Sequence, residues 1–166
     1  MGMAVLKIET GVDNKILRTK SATIKRIDKK IKKLIADMKE TTLAVDGLGL
    51  AAPQIGQDIR LFIARLNYGT PNELMVPMIN AEILAFSEDM QEEEEGCLSL
   101  PKRFGIVNRH AALTVSYTDE RNTLRTLKLE GLNARIIQHE IDHLNGILIA
   151  DKMKEVDATG RKGRGI

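Results

Sequence analysis

Residues 131–146 have the sequence GLNARIIQHEIDHLNG, the most informative stretch of the chain. Its apolar side chains recur close to the helical period, at Leu132, Ile136, Ile137, Ile141 and Leu144. The pair Asn145-Gly146 supplies a stop signal at the end of this pattern. The stretch therefore predicts an amphipathic helix over residues 132–144.

His139, Glu140 and His143 form an H-E-x-x-H motif on this predicted helix. Four residues advance an α-helix by about 400°, so the two imidazoles project from one face, one above the other. Two neutral imidazoles placed in this way can hold a metal ion, and Glu140 can reach a nearby water molecule without being a ligand. The motif predicts a metal-dependent hydrolase with Glu140 as its acid/base.

A catalytic zinc-type site needs a third protein ligand and an open position for water. After His143 the sequence contains no histidine, and its only glutamate there is Glu155. Cys97 is the single cysteine of the chain and lies in the segment EGCLSLP at 95–101. A thiolate is a strong ligand for soft and borderline metals, so the residues favour Cys97 as the third ligand.

Other interpretations stay open at this point. A metallopeptidase could use Glu155 in place of Cys97, and a lone cysteine is most often a small buried apolar residue. Two histidines and a cysteine with a weak axial methionine can also form a blue-copper electron-transfer site, although such a centre has no use for Glu140. We interpret His110 as structural or solvent-exposed, and the acidic run at 92–94 as a solvated edge.

The rest of the chain predicts an α+β fold. Residues 24–43 carry apolar side chains at three- and four-residue steps, which indicates an N-terminal amphipathic helix. Residues 47–56, GLGLAAPQIG, contain three glycines and a proline and predict a loop. Strands rich in Ile, Leu, Val and Thr are predicted over 59–64, 73–80, 81–87, 112–118 and 123–130. We expect mixed or antiparallel sheets packed around a central helix that carries the H-E-x-x-H motif.

Length and composition limit the possible functions. A chain of 166 residues fits one catalytic domain over 1–166, with 151–166 as a polar, flexible tail. A net charge of +2 and 3% aromatic residues argue against sequence-specific nucleic-acid binding. No segment approaches the roughly 20 apolar residues that a membrane span needs, and no secretory signal pattern is present. We therefore expect a soluble intracellular domain.

Three segments together resemble the peptide deformylase family. The pattern G-x-G-x-A-A-x-Q matches residues 47–54, E-G-C-x-S matches 95–99, and Q-H-E-x-D-H matches 138–143. The order and spacing of the three also agree with the family. The resemblance implies removal of the formyl group from the N-terminal formyl-methionine of new polypeptides, with release of formate.

The resemblance also implies a ligand set and catalytic roles. One divalent metal ion would be held by Cys97, His139 and His143, with iron(II) in the cell and nickel, cobalt or zinc as substitutes. Glu140 would act first as general base and then as the acid that protonates the leaving amine. Gln54 and the backbone N–H of Leu98 would face the formyl oxygen.

The resemblance implies a nascent formylated polypeptide as substrate and a transient association with the ribosome. It also implies a bacterial-type cytoplasm as the location, with an organelle as the alternative. The resemblance implies that Gly49 and the segment near Gly96 flank the bound peptide like strands. The apolar face of the predicted helix, with Leu132 and Ile136 before the motif, would line a slot for the methionine side chain. The tail after residue 150 lacks an apolar C-terminal helix, a region that varies among members of the family.

Overall fold

Eight strands form two antiparallel sheets in the structure, a computed structural model that describes residues 4–155. The strands are β1 Gly49–Ala51, β2 Leu61–Leu66, β3 Leu74–Phe86, β4 Met90–Cys97, β5 Leu100–His110, β6 Ala112–Thr118, β7 Leu124–Glu130 and β8 Lys154–Glu155. The larger sheet has the order β1-β2-β3-β6-β7, and the smaller sheet has the order β4-β5-β8. The predicted α+β class with antiparallel sheets is confirmed.

The helix α2, Gly131–Leu144, begins directly after β7 and contains residues 139–143. It contacts β1, β2, β6 and β7 of the larger sheet and β5 of the smaller one. Its apolar residues Ile136, Ile137 and Leu144 are fully buried in the core that the larger sheet covers. The polar residues of the motif are buried as well, so both the apolar and the polar side chains of α2 point into the protein.

The helix α1, Lys29–Ala44, begins five residues later than predicted. Asp28 ends the preceding extended segment, because its side chain accepts a hydrogen bond of 3.0 Å from the backbone N–H of Ile31 and caps the helix. Ile24 and Ile27 still pack on the same core as α1, which explains why their spacing extended the helical pattern. This second core lies between α1 and β2, around Ile35, Met38 and Leu61.

Two predicted strands are one, and four strands were missed, namely β1, β4, β5 and β8. Residues 73–80 and 81–87 belong to the single strand β3, which continues through a register irregularity after Ile79. The acidic run at 92–94 was predicted as a solvated edge, and it lies on β4, the edge strand of the smaller sheet, with Glu92 and Glu93 exposed. His110 was placed in a loop-like stretch, but it ends the paired strand β5. Four consecutive glutamates hide the alternation that identifies a strand.

The glycine-rich stretch 47–56 was predicted as a loop, and this was wrong in part. It contains the short edge strand β1 and a 3-10 helix, Ala52–Ile55. Two further 3-10 helices are Ile16–Arg18 and Ile149–Asp151. Of the predicted tail, residues 156–166 lie outside the described range. No helix among residues 4–155 combines the length and the apolar character that a bilayer crossing requires.

Candidate metal centre

Three side chains that can bind a metal converge between α2 and the end of β4. His139 and His143 lie one helical turn apart, and their Nε2 atoms are separated by 3.2 Å. The Sγ atom of Cys97 lies 3.3 Å from Nε2 of His143, and the potential ligand atoms of all three residues lie within 4.8 Å of one another. All three residues are buried. The fold thus brings Cys97 close to the H-E-x-x-H motif, whose first residue, His139, is 42 positions later in the sequence.

The chemistry of this cluster fits a divalent transition metal. Burial holds the pKa of His143 well below its usual range, so its imidazole is neutral and keeps a lone pair for coordination. Burial also raises the pKa of the Cys97 thiol to about 12, so the sulfur becomes a thiolate only when a cation compensates its charge. Two imidazole nitrogens and one thiolate form a donor set typical of zinc, iron, cobalt or nickel.

Glu95 orients one of the two imidazoles. Its Oε2 atom lies 3.0 Å from Nδ1 of His139, and the carboxylate is completely buried. A proton on Nδ1 of His139, donated to Glu95, leaves Nε2 as the atom that faces Cys97 and His143. Metal-binding histidines commonly have such a carboxylate partner, which fixes the tautomer and the ring orientation.

Two arginines hold this carboxylate in place. Arg109 on β5 donates from Nε to Oε1 at 2.6 Å and from Nη2 to Oε2 at 2.8 Å. Arg135 on α2 donates from Nη1 to Oε1 at 2.6 Å. Burial alone would raise the pKa of Glu95, but the hydrogen bonds from Arg109 and His139 hold this pKa well below its usual range. Glu95 is therefore a fixed anion beside the cluster.

Glu140 has a different environment from Glu95. It is completely buried, and neither carboxylate oxygen has a hydrogen-bond partner among the described residues. Burial raises the pKa of Glu140 well above its usual range. A buried carboxyl group with both oxygens free is costly unless a ligand or water uses it, which is typical of a functional site.

Gly49 leaves the space that Glu140 occupies. A Cβ atom at position 49 would lie 2.7 Å from Cδ of Glu140 and still nearer to one of the carboxylate oxygens. Such a distance is far below an ordinary contact, so β1 can pass this close to the carboxyl group only with glycine at this position.

Gln54 directs its amide group toward the cluster. The backbone N–H of Ala51 donates to Oε1 of Gln54 at 2.9 Å, which leaves Nε2 directed to the opposite side. Nε2 lies 3.2 Å from Oγ of Ser99 and 3.8 Å from Sγ of Cys97. Gln54 is fully buried, so its orientation is fixed by these contacts.

The remaining predicted site residues have distinct positions. Gly96 is buried in β4, and the partly buried Leu98 follows Cys97 and packs against the core beneath α1. Leu132 is 39% exposed, whereas Ile136 is 0% exposed and belongs to the core. The two residues predicted to line one slot therefore differ: one lies at the surface and the other in the interior.

His110 lies apart from the potential ligands. Its ring stacks on Phe86 with centroids 4.2 Å apart, and Nδ1 lies 2.7 Å from the carbonyl oxygen of Ser87. This agrees with the structural role expected for His110. Glu155, the alternative ligand, belongs to β8 and pairs with Gly105 of β5.

Sequence reasoning missed the supporting residues Ser99, Arg109 and Arg135. Arg135 offered one signal, because it precedes His139 by four residues and so lies on the same face of the helix. Arg109 offered none, since it reaches Glu95 only through the pairing of β4 with β5.

Comparisons with known proteins are consistent with this geometry. A family model described as polypeptide deformylase matches residues 5–159. The chain is 42% identical over 139 residues to a peptide deformylase of Prochlorococcus marinus (strain NATL1A), which covers 84% of this chain and 69% of the relative. The crystal structure of peptide deformylase from Thermotoga maritima superposes with a TM-score of 0.83 at 38% identity, covering 93% of this chain and 99% of that one. A Met-Ala-Ser-bound peptide deformylase from Acinetobacter baumannii superposes with a TM-score of 0.84 at 34% identity, covering 92% and 100% of the two chains.

Proposed function

The chain belongs to the polypeptide deformylase family, and we propose that the cluster of Cys97, His139 and His143 is its catalytic metal centre. The resemblance inferred from the three sequence motifs is thereby confirmed at the level of the family. As a member of this family the protein is a metallohydrolase, and it removes the N-formyl group from nascent polypeptides. The observation that supports this location best is the unpartnered, buried carboxyl group of Glu140 beside the three potential ligands.

Cys97, His139 and His143 would hold one divalent metal ion. The ion when bound supplies Lewis acidity, which polarises the formyl carbonyl and makes hydroxide available near neutral pH. We propose iron(II) as the ion used in the cell, with nickel(II), cobalt(II) or zinc(II) as substitutes. Glu95 supports this role by keeping Nε2 of His139 free for coordination.

Glu140 would transfer the proton of the reaction. Its carboxylate accepts a proton from the attacking water as oxygen adds to the formyl carbon. The carboxyl group then gives this proton to the amine nitrogen as the C–N bond breaks, which releases formate and a free N-terminus. Both oxygens of Glu140 are free for this transfer, and burial moves its pKa upward, toward the range in which a carboxyl group can both accept and return a proton.

Gln54 and Leu98 would stabilise the oxyanion that forms on the formyl oxygen. The side-chain amide of Gln54 is held by Ala51 and Ser99 with Nε2 directed to the cluster. The backbone N–H of Leu98 follows the ligand Cys97 directly. Fixed donors in a buried site stabilise developing negative charge without reorganisation.

The peptide would bind along the edge of the larger sheet. β1 is the edge strand of that sheet and carries Gly49 next to Glu140, so an extended peptide can pair with it. Gly96, at the end of β4, would flank the peptide on the opposite side. We propose Leu132 as an exposed apolar contact for the methionine side chain, with Ile136 supporting α2, the central helix, from the core.

The proposed partners are nascent formylated polypeptides and, transiently, the ribosome that makes them. We propose a bacterial-type cytoplasm as the location, without a membrane anchor and without sequence-specific nucleic-acid binding. The basis is the set of bacterial relatives together with the function of the family.

Formate release from formyl-Met-Ala-Ser, followed with metal analysis of the same sample, tests the proposed site. We expect release that depends on the bound metal and is lost in Cys97→Ala together with the metal. A metallopeptidase that used Glu155 would keep its metal in this variant and would cleave internal peptide bonds instead. A blue-copper site would show intense colour with copper and no formate release.

A further inference from the structure

The N-terminal part of α1 and the segment before it carry an exposed basic surface that the catalytic site does not use. We name it the α1 basic surface; its members, all exposed, are Lys25, Arg26, Lys29, Lys30, Lys32 and Lys33. None of them contacts the metal cluster or the residues that support it.

Charge is segregated in this protein. The nine residues 25–33 contain six of the 25 basic side chains and only one of the 23 acidic side chains. The remainder of the chain is therefore net acidic, although the whole chain has a charge of +2. The low overall charge hides a local basic surface of the kind by which proteins bind polyanions.

Most of these basic side chains have no ion pair within the described part of the protein. Lys33 pairs with Asp37 at 2.6 Å, and none of the other five members has an acidic side chain within ion-pair distance among residues 4–155. The neighbouring Asp28 caps the helix; the hydrogen bond from Ile31 lowers its pKa, and so do the charges of Lys30 and Arg26. This single carboxylate therefore offsets only part of the charge of the surface. The first turn of α1 contains no acidic residue, so its lysines repel the positive end of the helix dipole. An arrangement that opposes folding in this way is expected where an external anion relieves it.

The opposite face of α1 is already covered. Ile31, Leu34, Ile35 and Met38 pack on the core between α1 and β2. A helix that inserts among lipids needs a free apolar face, and these residues of α1 do not provide one because they are packed against the core. Leu43 is the one large apolar side chain of α1 that is exposed, and it lies at the opposite end of the helix from the basic side chains. Binding at the basic end would therefore rest on charge.

We propose that the α1 basic surface binds the phosphate backbone of double-stranded RNA, without sequence preference. Residues 20–45 contain no aromatic side chain, so the surface cannot stack the bases of a single strand. Phosphates arranged along a duplex fit a row of unpaired lysines on a rigid helix. The inference rests on the proposed function, because nascent polypeptides leave a ribosome whose surface is largely folded RNA. The surface would hold the enzyme near its substrate.

Fluorescence anisotropy with a labelled RNA duplex of about 16 base pairs, titrated over a range of KCl concentrations, tests the proposal. The variant is Lys25→Glu/Lys29→Glu/Lys32→Glu, and the control Lys7→Glu/Lys15→Glu/Lys128→Glu changes the net charge equally at exposed lysines elsewhere. We expect the surface variant to lose affinity by at least about 10-fold and its salt dependence, in log–log slope, to fall by about 2–3. The control should keep the slope of the unchanged protein.

A loss of RNA affinity in the surface variant would not be caused by unfolding, because glutamate in the first turn of α1 interacts favourably with the positive end of the helix dipole. The surface variant should therefore melt at or above the temperature of the unchanged protein. Equal losses of RNA affinity in the variant and the control would overturn the proposal. Binding to phosphatidylserine vesicles in the absence of duplex binding would overturn it as well, and would identify a membrane surface as the partner.

Formate release separates this proposal from the proposed function. Both triple variants should deformylate free formyl-Met-Ala-Ser at the normal rate, and only the surface variant should be slower on formylated chains attached to ribosomes. Equal rates on ribosome-bound chains would exclude a role for the surface in substrate delivery. If none of the proteins releases formate from the tripeptide, the proposed function is wrong. The duplex titration does not depend on formate release, so it still tests RNA binding in that case.

Discussion

The carboxylate of Glu95 lies 3.0 Å from Nδ1 of His139 and is bound on its other side by two buried arginines, Arg109 and Arg135. One glutamate thus connects β4, β5 and α2, the three elements that meet at the cluster. Substitutions of Glu95 should change both the metal affinity and the free energy of unfolding. The first depends on the hydrogen bond to His139, and the second depends on the contacts with the two arginines.

Glu95→Gln should weaken metal binding by about 10–100-fold, because the neutral amide is a poorer acceptor for the Nδ1–H of His139. Competition with a chelator measures this affinity. Glu95→Ala should in addition cost about 3 kcal/mol in the free energy of unfolding, because unlike glutamine it removes every side-chain acceptor that residue 95 offers to the two buried arginines. Among the described residues, Arg109 then keeps only Asp142 as an acidic partner, and Arg135 keeps only Glu93. Glu92→Gln is the control, because this residue of the same strand is 55% exposed and its ion pair is with the exposed Lys154. Unchanged metal affinity in Glu95→Gln would contradict the orienting role.

Cys97→Ala and His143→Ala should each lose most of the bound metal, because each removes one of three protein ligands from a site that cannot replace it. Elemental analysis of protein purified under identical conditions measures the content. His110→Ala should keep one equivalent, since His110 stacks on Phe86 away from the cluster. Full occupancy in either ligand variant would rule out this ligand set.

Glu140→Gln should retain the metal and lose turnover by about 100–10,000-fold, the usual contribution of general acid/base catalysis. The amide has the same shape but cannot accept and return the proton. Metal content and formate release are measured on one preparation. Near-normal turnover in the fully loaded variant would exclude Glu140 as the proton carrier.

Gly49→Ala should also lower turnover while the metal stays bound, because its methyl group would displace the carboxyl group of Glu140. A double-mutant cycle tests the cause. In the background of Glu140→Gln, which has little turnover to lose, the alanine should add almost no further loss. If the effects of the two substitutions add, Gly49 does not act through Glu140, and its role is limited to the pairing of the substrate peptide with β1.

Local patterns in the sequence predicted the parts of the fold that local physics determines. Helical spacing located α2 within one residue of its observed start, and a stretch rich in Leu, Val and Thr located β6 at 112–118. The start of α1 was wrong, because Ile24 and Ile27 pack on the core from an extended segment. Apolar periodicity indicates which side chains are buried, but it does not show whether their backbone is helical or extended.

The candidate site shows the same division. His139, Glu140 and His143 lie on one helix, so their proximity could be predicted from spacing alone. The environment of Glu95 could not, because it depends on Arg109 and Arg135, which reach the carboxylate from β5 and α2. Within a run of four glutamates, one buried member cannot be recognised until its partners are placed in space.

Gln54→Ala should lower kcat/KM by about 100–1,000-fold without loss of metal, because it removes one fixed donor to the oxyanion. The donor is fixed by two contacts: Ala51 binds Oε1, and Ser99 accepts from Nε2 at 3.2 Å. Ser99→Ala, which leaves the amide in place and removes only this contact, should cost less than Gln54→Ala. In the double variant the loss of Ser99 should add little, since the group that it positions is gone. A large loss for Ser99→Ala that persists without Gln54 would show that Ser99 acts on the substrate itself, and unchanged kcat/KM in Gln54→Ala would remove Gln54 from the oxyanion role.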